Sequence, residues 1–145
     1  MHTIKFRGKS ISTGEWAYGH YYESLLNGDH IIIEEMFSEH ISVDPKTVGQ
    51  YIGVKDKNAK KIYKGDIVKW DDGSAGRYWR VAQVVYVPGF WRFEIIPGKS
   101  INCFKDGQTG AFDGGSFMYL PNTSAHNNVM EVIGNIHDDK NLITQ

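Results

Sequence analysis

A chain of 145 residues is the size of one typical domain, and its formal net charge of -1 excludes nucleic-acid binding that depends on a strongly basic molecule. Its single cysteine, Cys103, excludes an internal disulfide and a zinc cluster made of cysteines, and a free thiol is typical of the cytoplasm. No apolar run approaches the ~20 residues of a membrane span, and the opening MHTIKFRGKS has no apolar stretch, so we expect neither a membrane contact nor a signal peptide.

The first third of the chain is predicted to form strands. Sixteen glycines and an aromatic fraction of 13% favour a sheet-rich protein with many turns. Alternation and turn residues predict, in chain order, strands at 4–6, 15–22 and 30–34, with a loop at 7–14 and a turn at 27–29. In the second strand Trp16, Tyr18 and His20 fall on one face, because side chains alternate along a strand.

The middle of the chain continues this pattern. Turn residues and β-branched runs predict, in chain order, a turn at 44–45, strands at 48–54, 62–63 and 67–70, and a turn at 57–60. The phrase Gly65-Asp-Ile-Val68 at the start of a strand suggests an SH3-like barrel portion around residues 43–96.

Residues 77–96 predict a β-hairpin around Pro88-Gly89. Apolar residues fill the odd positions on both sides of this turn. If both sets share a face, Val87 must lie opposite Trp91, because a shift of one residue moves every side chain to the other face. We therefore predict a three-residue loop or a bulge at 88–90.

The last part of the chain begins with a segment rich in glycine, asparagine and serine, which holds one aromatic stretch at 117–120. Glycine, asparagine and serine predict a long loop region at 98–128, followed by a strand at 131–136 and one helical turn at 138–142. The chain offers no amphipathic helix of three turns. The fold class predicted is thus all-β and mainly antiparallel, in a single domain over residues 1–145.

The sequence contains no complete motif for catalysis or for metal binding. The Gly-Lys-Ser triplets at 8–10 and 98–100 lack the preceding glycine that a phosphate loop requires. The six histidines show no close ligand spacing, and Cys103 has no histidine near it in the sequence. We therefore predict no catalytic residue, no metal ligand and no cofactor, and we expect that the protein is not an enzyme.

One candidate contact surface remains. Residues 55–69 hold six lysines and only two aspartates, and the hairpin that follows carries basic and aromatic residues on its even face. Cations beside aromatic rings can hold single-stranded nucleic acid. Lysines also keep the edge of a sheet soluble, so the pattern has a purely structural explanation as well. The residues predicted to contact nucleic acid or another partner are Lys60, Lys61, Tyr78, Arg80, Tyr86 and Arg92.

Three segments carry a resemblance to a known family. The stretch VDPKTVGQYIGVKDKNAKKIYKGDIV at 43–68, the stretch EVIGNI at 131–136, and IKFR at 4–7 with WAYG at 16–19 together resemble the YopX family of phage and prophage proteins. The resemblance implies a small β-rich protein of the bacterial cytoplasm, and it carries over no activity, cofactor or catalytic residue. Two positions depart from the family pattern: Ala59 follows Asn58 where Asn-Gly is usual, which predicts a longer or differently shaped turn, and Lys140 lies where a proline is usual.

The function expected from these features is binding. We expect an accessory phage or prophage protein without catalytic activity, which binds an unknown protein partner or assembles with itself. The alternative is a single-stranded nucleic-acid-binding protein that uses the lysines of 55–69 and the Arg and Tyr residues of 78–92.

Overall fold

The computed structural model describes residues 5–71, 78–87, 90–95, 100–102, 109–110, 115–119 and 130–142. Antiparallel strands dominate these residues, which confirms the predicted fold class, and their only helices are 3-10 turns at Pro45–Thr47 and Lys140–Leu142. Within this part of the chain, no helix has the length and apolar character that crossing a membrane requires. Contacts divide the chain into two compact units, Met1–Gly53 and Val54–Gln145. The single domain over 1–145 stays a prediction, because a division of contacts does not decide whether each unit folds alone.

The first unit contains a sheet of consecutive strands. Its strands are β1 (Phe6–Lys9), β2 (Trp16–Glu23), β3 (His30–Glu34), β4 (His40–Ser42) and β5 (Gly49–Lys55), the last of which continues beyond Gly53. They are ordered β4-β3-β2-β1-β5, and each neighbouring pair is antiparallel. Strands β3 and β5 agree with the strands predicted at 30–34 and 48–54. The turn predicted at 27–29 is also present, and Gly28 in this turn has a φ of +75°, which glycine can adopt.

The sheet of the first unit curls back on itself. Ser10, which follows β1, forms an antiparallel bridge with Val43, which follows β4. Two backbone hydrogen bonds flank this bridge, from Ile11 N–H to Ser42 O at 3.0 Å and from Asp44 N–H to Lys9 O at 2.9 Å. The curl encloses a core of Ala17, Ile32 and Val43, against which four further side chains pack: Phe6, Tyr21, Ile41 and Val48.

The loop predicted at 7–14 begins later than expected. Strand β1 extends through Lys9, so Arg7 and Gly8 belong to the sheet. A Cβ atom at position 8 would lie 3.0 Å from the side chain of Val43. Gly8 is therefore present because the chain behind it approaches closely, and it does not end the strand.

The second unit contains the remaining strands. They are β6 (Lys61–Tyr63), β7 (Asp66–Asp71), β8 (Tyr78–Val87), β9 (Phe90–Ile95), β10 (Ser100–Asn102), β11 (Thr109–Gly110), β12 (Gly115–Tyr119) and β13 (Glu131–Asn135). Five strands follow the order β11-β10-β8-β7-β13, and β9 pairs with both β8 and β12. The region 98–128, predicted as a long loop, thus contains β10, β11 and β12, and its other residues lie outside the described part. The SH3-like barrel stays a prediction, because the pairing of β7, β8 and β9 fits an open sheet as well as a barrel.

The predicted register of the β8–β9 hairpin is wrong. Val87 pairs with Phe90, and Val85 pairs with Arg92, so only residues 88 and 89 separate the last paired positions. The prediction assumed that apolar residues mark one buried face. In β8 the consecutive residues Val81 and Ala82 are both buried, and so is Val84. Because both faces of this strand are covered, alternation carries no information about its register.

Candidate binding surface

Strand β2 carries a column of aromatic side chains on the face opposite the core. Ala17 and Tyr21 point towards the core cluster of the first unit. Side chains alternate along a strand, so Tyr18, His20 and Tyr22 lie on the other face. Tyr18 is 44% exposed and Tyr22 is 37% exposed, and His20 is also exposed. The prediction that Trp16, Tyr18 and His20 share a face agrees with this arrangement.

The neighbouring strands extend this surface. His20 lies opposite Ile33 of β3, which in turn lies opposite His40 of β4. Tyr22 lies opposite Ile31 in the same way. Directly opposed residues of antiparallel strands share a face of the sheet. We call this surface the β2–β4 face, and define it by Tyr18, His20, Tyr22, Ile31, Ile33 and His40.

A hydrogen bond fixes part of this face. The Tyr22 hydroxyl and His40 Nδ1 are 3.0 Å apart, and the two rings meet edge to face with centroids 6.1 Å apart. This pair spans β3 and joins β2 to β4. The two rings are thus held in place before any partner arrives, which reduces the conformational entropy that binding would cost.

A second tyrosine–histidine pair lies on the core side of the same strands. The Tyr21 hydroxyl is hydrogen-bonded to His30 Nδ1, and the rings stack with an interplanar angle of 8°. Burial raises the pKa of Tyr21 above its ordinary value of 10.0, and the negative charge of Glu23 raises this pKa further. The pair stabilises the sheet from within and does not contribute to the exposed surface.

Two cations lie next to the aromatic column. In the pairing of β1 with β2, Arg7 is opposite Tyr18 and Lys9 is opposite Trp16. The guanidinium carbon of Arg7 is 4.6 Å from the centroid of the Trp16 ring, and Lys9 Nζ is 5.5 Å from it. Sequence analysis missed both residues because it assigned them to a loop. Their alternation with Gly8 was the signal that could have placed them beside Trp16 and Tyr18.

A groove of about 630 Å³ lies at one end of the first unit. Its lining includes Glu15, Glu34, Glu39 and His40, and neither lysine nor arginine is among the described residues that line it. Its negative character would repel a phosphate or another anion. The groove shares His40 with the β2–β4 face but differs from it in charge.

The lysines predicted to form a contact lie in the second unit, around a turn whose backbone is held by a buried carboxylate. The Asp56 carboxylate accepts hydrogen bonds from the backbone N–H groups of Asn58 at 2.8 Å, Lys60 at 2.9 Å and Val132 at 2.9 Å. Lys60 is exposed and Lys61 is half-buried. Asp56 itself is only 6% exposed, so the turn that carries Lys60 is held by a buried acceptor.

The predicted contact residues do not all share a face. Tyr86, which is 53% exposed, lies opposite Trp91, whereas position 92 lies opposite Val85. Positions 78, 80 and 86 therefore belong to one face of β8, and position 92 belongs to the other. The side chains at 78, 80 and 92 are outside the described part of the structure.

Part of the charge of the lysine segment is compensated. The Glu131 carboxylate lies 3.6 Å from Lys57 Nζ and 3.8 Å from Lys69 Nζ. Two of the six lysines in 55–69 thus share one carboxylate from β13. The segment is less positive than its sequence alone suggests.

Comparison with known proteins supports one assignment. No curated protein matches the chain. A crystal structure of protein EF1440 from Enterococcus faecalis is 19% identical and superposes with a TM-score of 0.46, over 99% of this chain and 100% of that one. The family model described as "YopX protein" matches residues 5–144, nearly the whole chain, which confirms the resemblance seen in the sequence. The chain therefore belongs to the YopX family.

Proposed function

We propose that this protein is a non-catalytic binding module of a phage or prophage, that it acts in the cytoplasm of the bacterial host, and that its binding surface is the β2–β4 face. The observation that carries the proposal is the exposure of Tyr18 and Tyr22 on one sheet face, with the exposed His20 between them. Tyrosine gives a large contact area and loses little conformational entropy when it is fixed. Exposed aromatic clusters on soluble proteins are typical of interaction sites.

The shape of this surface favours binding over catalysis. Tyr18, His20 and Tyr22 stand on the outer side of the curled sheet, where they are exposed to solvent. Catalytic sites are usually concave, because the reacting groups must be shielded from water. Phenol, imidazole and isoleucine side chains on such an outer sheet face are suited to contact with another macromolecule.

The same face would also suit a second copy of this chain. Ile31 and Ile33 lie half-buried between the aromatic rings, so the surface offers apolar area to an identical surface. Self-assembly predicts a sedimentation mass that is a multiple of 16.5 kDa and that persists at high salt, because apolar contacts are not screened. Replacement of Tyr18 and Tyr22 by serine would then return the protein to a single copy.

A second candidate function is the binding of single-stranded nucleic acid at the lysine turn. Its support is the exposed Lys60, held in place by Asp56, together with the exposed Tyr86. This function predicts that the double charge reversal Lys60→Glu and Lys61→Glu abolishes binding. It also predicts that affinity falls steeply with salt, because contacts with phosphates release counterions.

The proposed surface can be tested by site-specific photo-crosslinking in bacterial cells that carry the phage. A photoreactive amino acid would replace Tyr18 or Tyr22, and the exposed Lys46 of the first 3-10 helix provides the matched control position. We expect a discrete adduct from positions 18 and 22 and none from position 46. Equal labelling from all three positions, or no adduct at all, would overturn the proposal. If the photoreactive residue is also placed at the exposed Tyr86, an adduct from position 86 alone would favour the second candidate.

A further inference from the structure

We infer that the groove at one end of the first unit binds an extended basic segment of a partner protein. This segment pairs with the free edge of β4 and places lysine or arginine side chains against the carboxylates of Glu34 and Glu39. The site is separate from the β2–β4 face. Three features carry the inference: the open edge of β4, the groove beside it, and the carboxylates that line the groove.

Strand β4 presents backbone groups on its outer edge. It is the last strand of its sheet, and among the described strands it pairs with β3 alone. The Ser42 C=O accepts the Ile11 N–H at 3.0 Å, so the backbone groups of Ser42 point away from β3. The N–H and C=O of a strand residue point to the same edge, and residues two positions apart repeat this direction. The Ser42 N–H and both backbone groups of His40 therefore also point away from β3.

The segment that reaches Ser42 does not continue along this edge. After Ile11 the chain turns back towards β2, and hydrogen bonds from Ser10 N–H to Glu15 O at 2.8 Å and from Gly14 N–H to Ser10 O at 2.9 Å close this turn. The groove of about 630 Å³ is lined both by the turn and by all three residues of β4. An extended segment in this groove would thus lie beside a strand edge that can accept another strand.

The lining of the groove is negative. Its carboxylates belong to Glu15, Glu34 and Glu39, and none of them forms an ion pair with another described residue. Arg7 and Lys9 contact the ring of Trp16, which also lines the groove, so they offset part of this charge. Neither of these two cations is part of the lining. The groove therefore favours a ligand that brings positive charge of its own.

The sheet also predicts the spacing of the basic residues in the ligand. Glu34 follows the core residue Ile32 by two positions in β3, so both side chains point to the same side of the sheet. Glu39 is held next to Glu34, because the Glu34 N–H donates to Glu39 O at 3.0 Å. A strand added to β4 would continue the alternation of the sheet, and every second side chain would point to the side of Glu34. We expect basic residues at alternate positions of the ligand.

A basic peptide fits both the edge and the charge. Its carbonyl oxygens can accept the N–H groups of His40 and Ser42, and its cations can meet the carboxylates. A nucleic acid would bring phosphates to the same carboxylates, and a polyamine has no carbonyl for the edge. A second copy joined through its own β4 edge would bring the carboxylates of both grooves together, and such like charges repel. The occupant is therefore a segment of a different protein.

The test uses the full-length protein and a fluorescent peptide of about seven residues in which lysine alternates with threonine, with binding followed by anisotropy at about 50 mM salt. We expect saturable binding, and a peptide with glutamate in place of lysine should not bind. The double variant Glu34→Gln, Glu39→Gln should lose about fivefold or more in affinity, because two ion pairs with the ligand are removed. The control Glu23→Gln, Asp29→Asn removes the same charge at the other end of the β2–β3 hairpin and should change affinity by less than about twofold.

Two N-methylated peptides test the pairing with the backbone. One carries N-methyl groups on its lysines, and the other carries them on its threonines. Successive N–H groups of a strand point to opposite edges, so only one of these two sets can face β4. We expect one peptide to lose about tenfold or more in affinity and the other to bind within about threefold of the unmodified peptide.

Four results would overturn the inference. The first is no binding of the lysine peptide, and the second is an equal loss in the Glu34, Glu39 variant and in its control. The third is an equal effect of the two methylations, which would show that the peptide does not pair as a strand. The fourth is loss of binding in Tyr18→Ser, Tyr22→Ser with full binding in the Glu34, Glu39 variant. That result would place the peptide on the β2–β4 face, so the inference would fail while the proposed function gained support.

Discussion

The carboxylate of Asp56 accepts a hydrogen bond of 2.9 Å from the backbone N–H of Val132, which lies 76 residues further along the chain. Its other oxygen accepts the N–H groups of Asn58 and Lys60, so both oxygens have donors. The Lys57 N–H also donates to Met130 O at 2.9 Å. The turn at 56–60 is thus attached to the chain around β13 at two places.

The variant Asp56→Ala should lower the free energy of unfolding by about 3 kcal/mol, because three backbone N–H donors lose their acceptor. Asp56→Asn should cost nearly as much, since its NH₂ group must face a backbone N–H whichever way the amide is turned. Urea denaturation followed by tryptophan fluorescence measures both. The matched control is Asp44→Ala, because Asp44 is exposed and accepts one backbone N–H, and it should cost about 1 kcal/mol or less. If Asp56→Asn proves neutral, the geometry described for this carboxylate is wrong.

The variant Ala59→Gly should raise the free energy of unfolding by about 1 kcal/mol. Ala59 has a φ of +64°, in the left-handed region that costs a residue with a Cβ atom about 1 kcal/mol or more. The bonds from Asp56 N–H to Lys60 O and from Ala59 N–H to Asp56 O define a three-residue turn, which agrees with the longer turn predicted here.

Thermal or urea unfolding checks this prediction, with Ala17→Gly as the control. Ala17 is buried in the middle of β2, where glycine weakens a strand, so this control should lose stability. A loss of stability in Ala59→Gly would contradict the left-handed conformation.

The variant Gly19→Ala should lower the free energy of unfolding by about 3 kcal/mol or more, because overpacking forces strands apart. A Cβ atom at this position would lie 1.9 Å from the carbonyl oxygen of Ile33 on β3, well inside contact distance. The control Gly53→Ala should cost only about 1 kcal/mol, since Gly53 has a φ of +95° but no neighbouring atom within 4 Å of the added Cβ. Similar losses at the two positions would show that β2 and β3 are not this close.

The free energy of unfolding should fall in alkaline solution. Burial raises the pKa of Tyr21 and of Tyr51 above the ordinary value of 10.0, although the charge of Lys5 lowers that of Tyr51 in part. Since the folded protein holds these protons more tightly, stability is unaffected well below pH 10.0 and decreases as the pH rises through 10.0 towards the folded values. Urea unfolding at about pH 8 and about pH 10.5 measures the decrease. The double variant Tyr21→Phe, Tyr51→Phe should lose less free energy of unfolding between these two pH values than the wild type. An equal loss in the variant and the wild type would show that other groups cause the decrease.

Much of the first unit could be predicted because its strands have one covered face. The run at His30–Glu34 and the alternation in β2 gave the correct elements, and Gly28 marked the turn between them. The extent of β1 could not be predicted. Gly8 is required because the side chain of Val43, which is distant in sequence, lies close to its backbone. From the sequence alone, a glycine that ends a strand cannot be distinguished from a glycine that makes room for another segment.

The candidate site was predicted less well, for a related reason. The even face of β8 was correctly aligned over positions 78, 80 and 86, but Arg92 was assigned to it through an incorrect register. Arg7 and Lys9 were missed because their positions beside Tyr18 and Trp16 follow from the register between β1 and β2. That register depends on the whole sheet and cannot be derived from the sequence of β1 alone. The ion pairs of Glu131 with Lys57 and Lys69 likewise join segments far apart in the chain.

The bridge between Ser10 and Val43 has a consequence for the order in which the first unit assembles. Strands β1 to β4 pair with their sequence neighbours, so hairpins can form early with little loss of chain entropy. The bridge joins the two ends of this series, and it can close only when all four strands are present. Val43 then enters the core against Gly8 at the last step. Changes at this junction should therefore act on the rate at which the unit opens and leave the rate of hairpin formation almost unaltered.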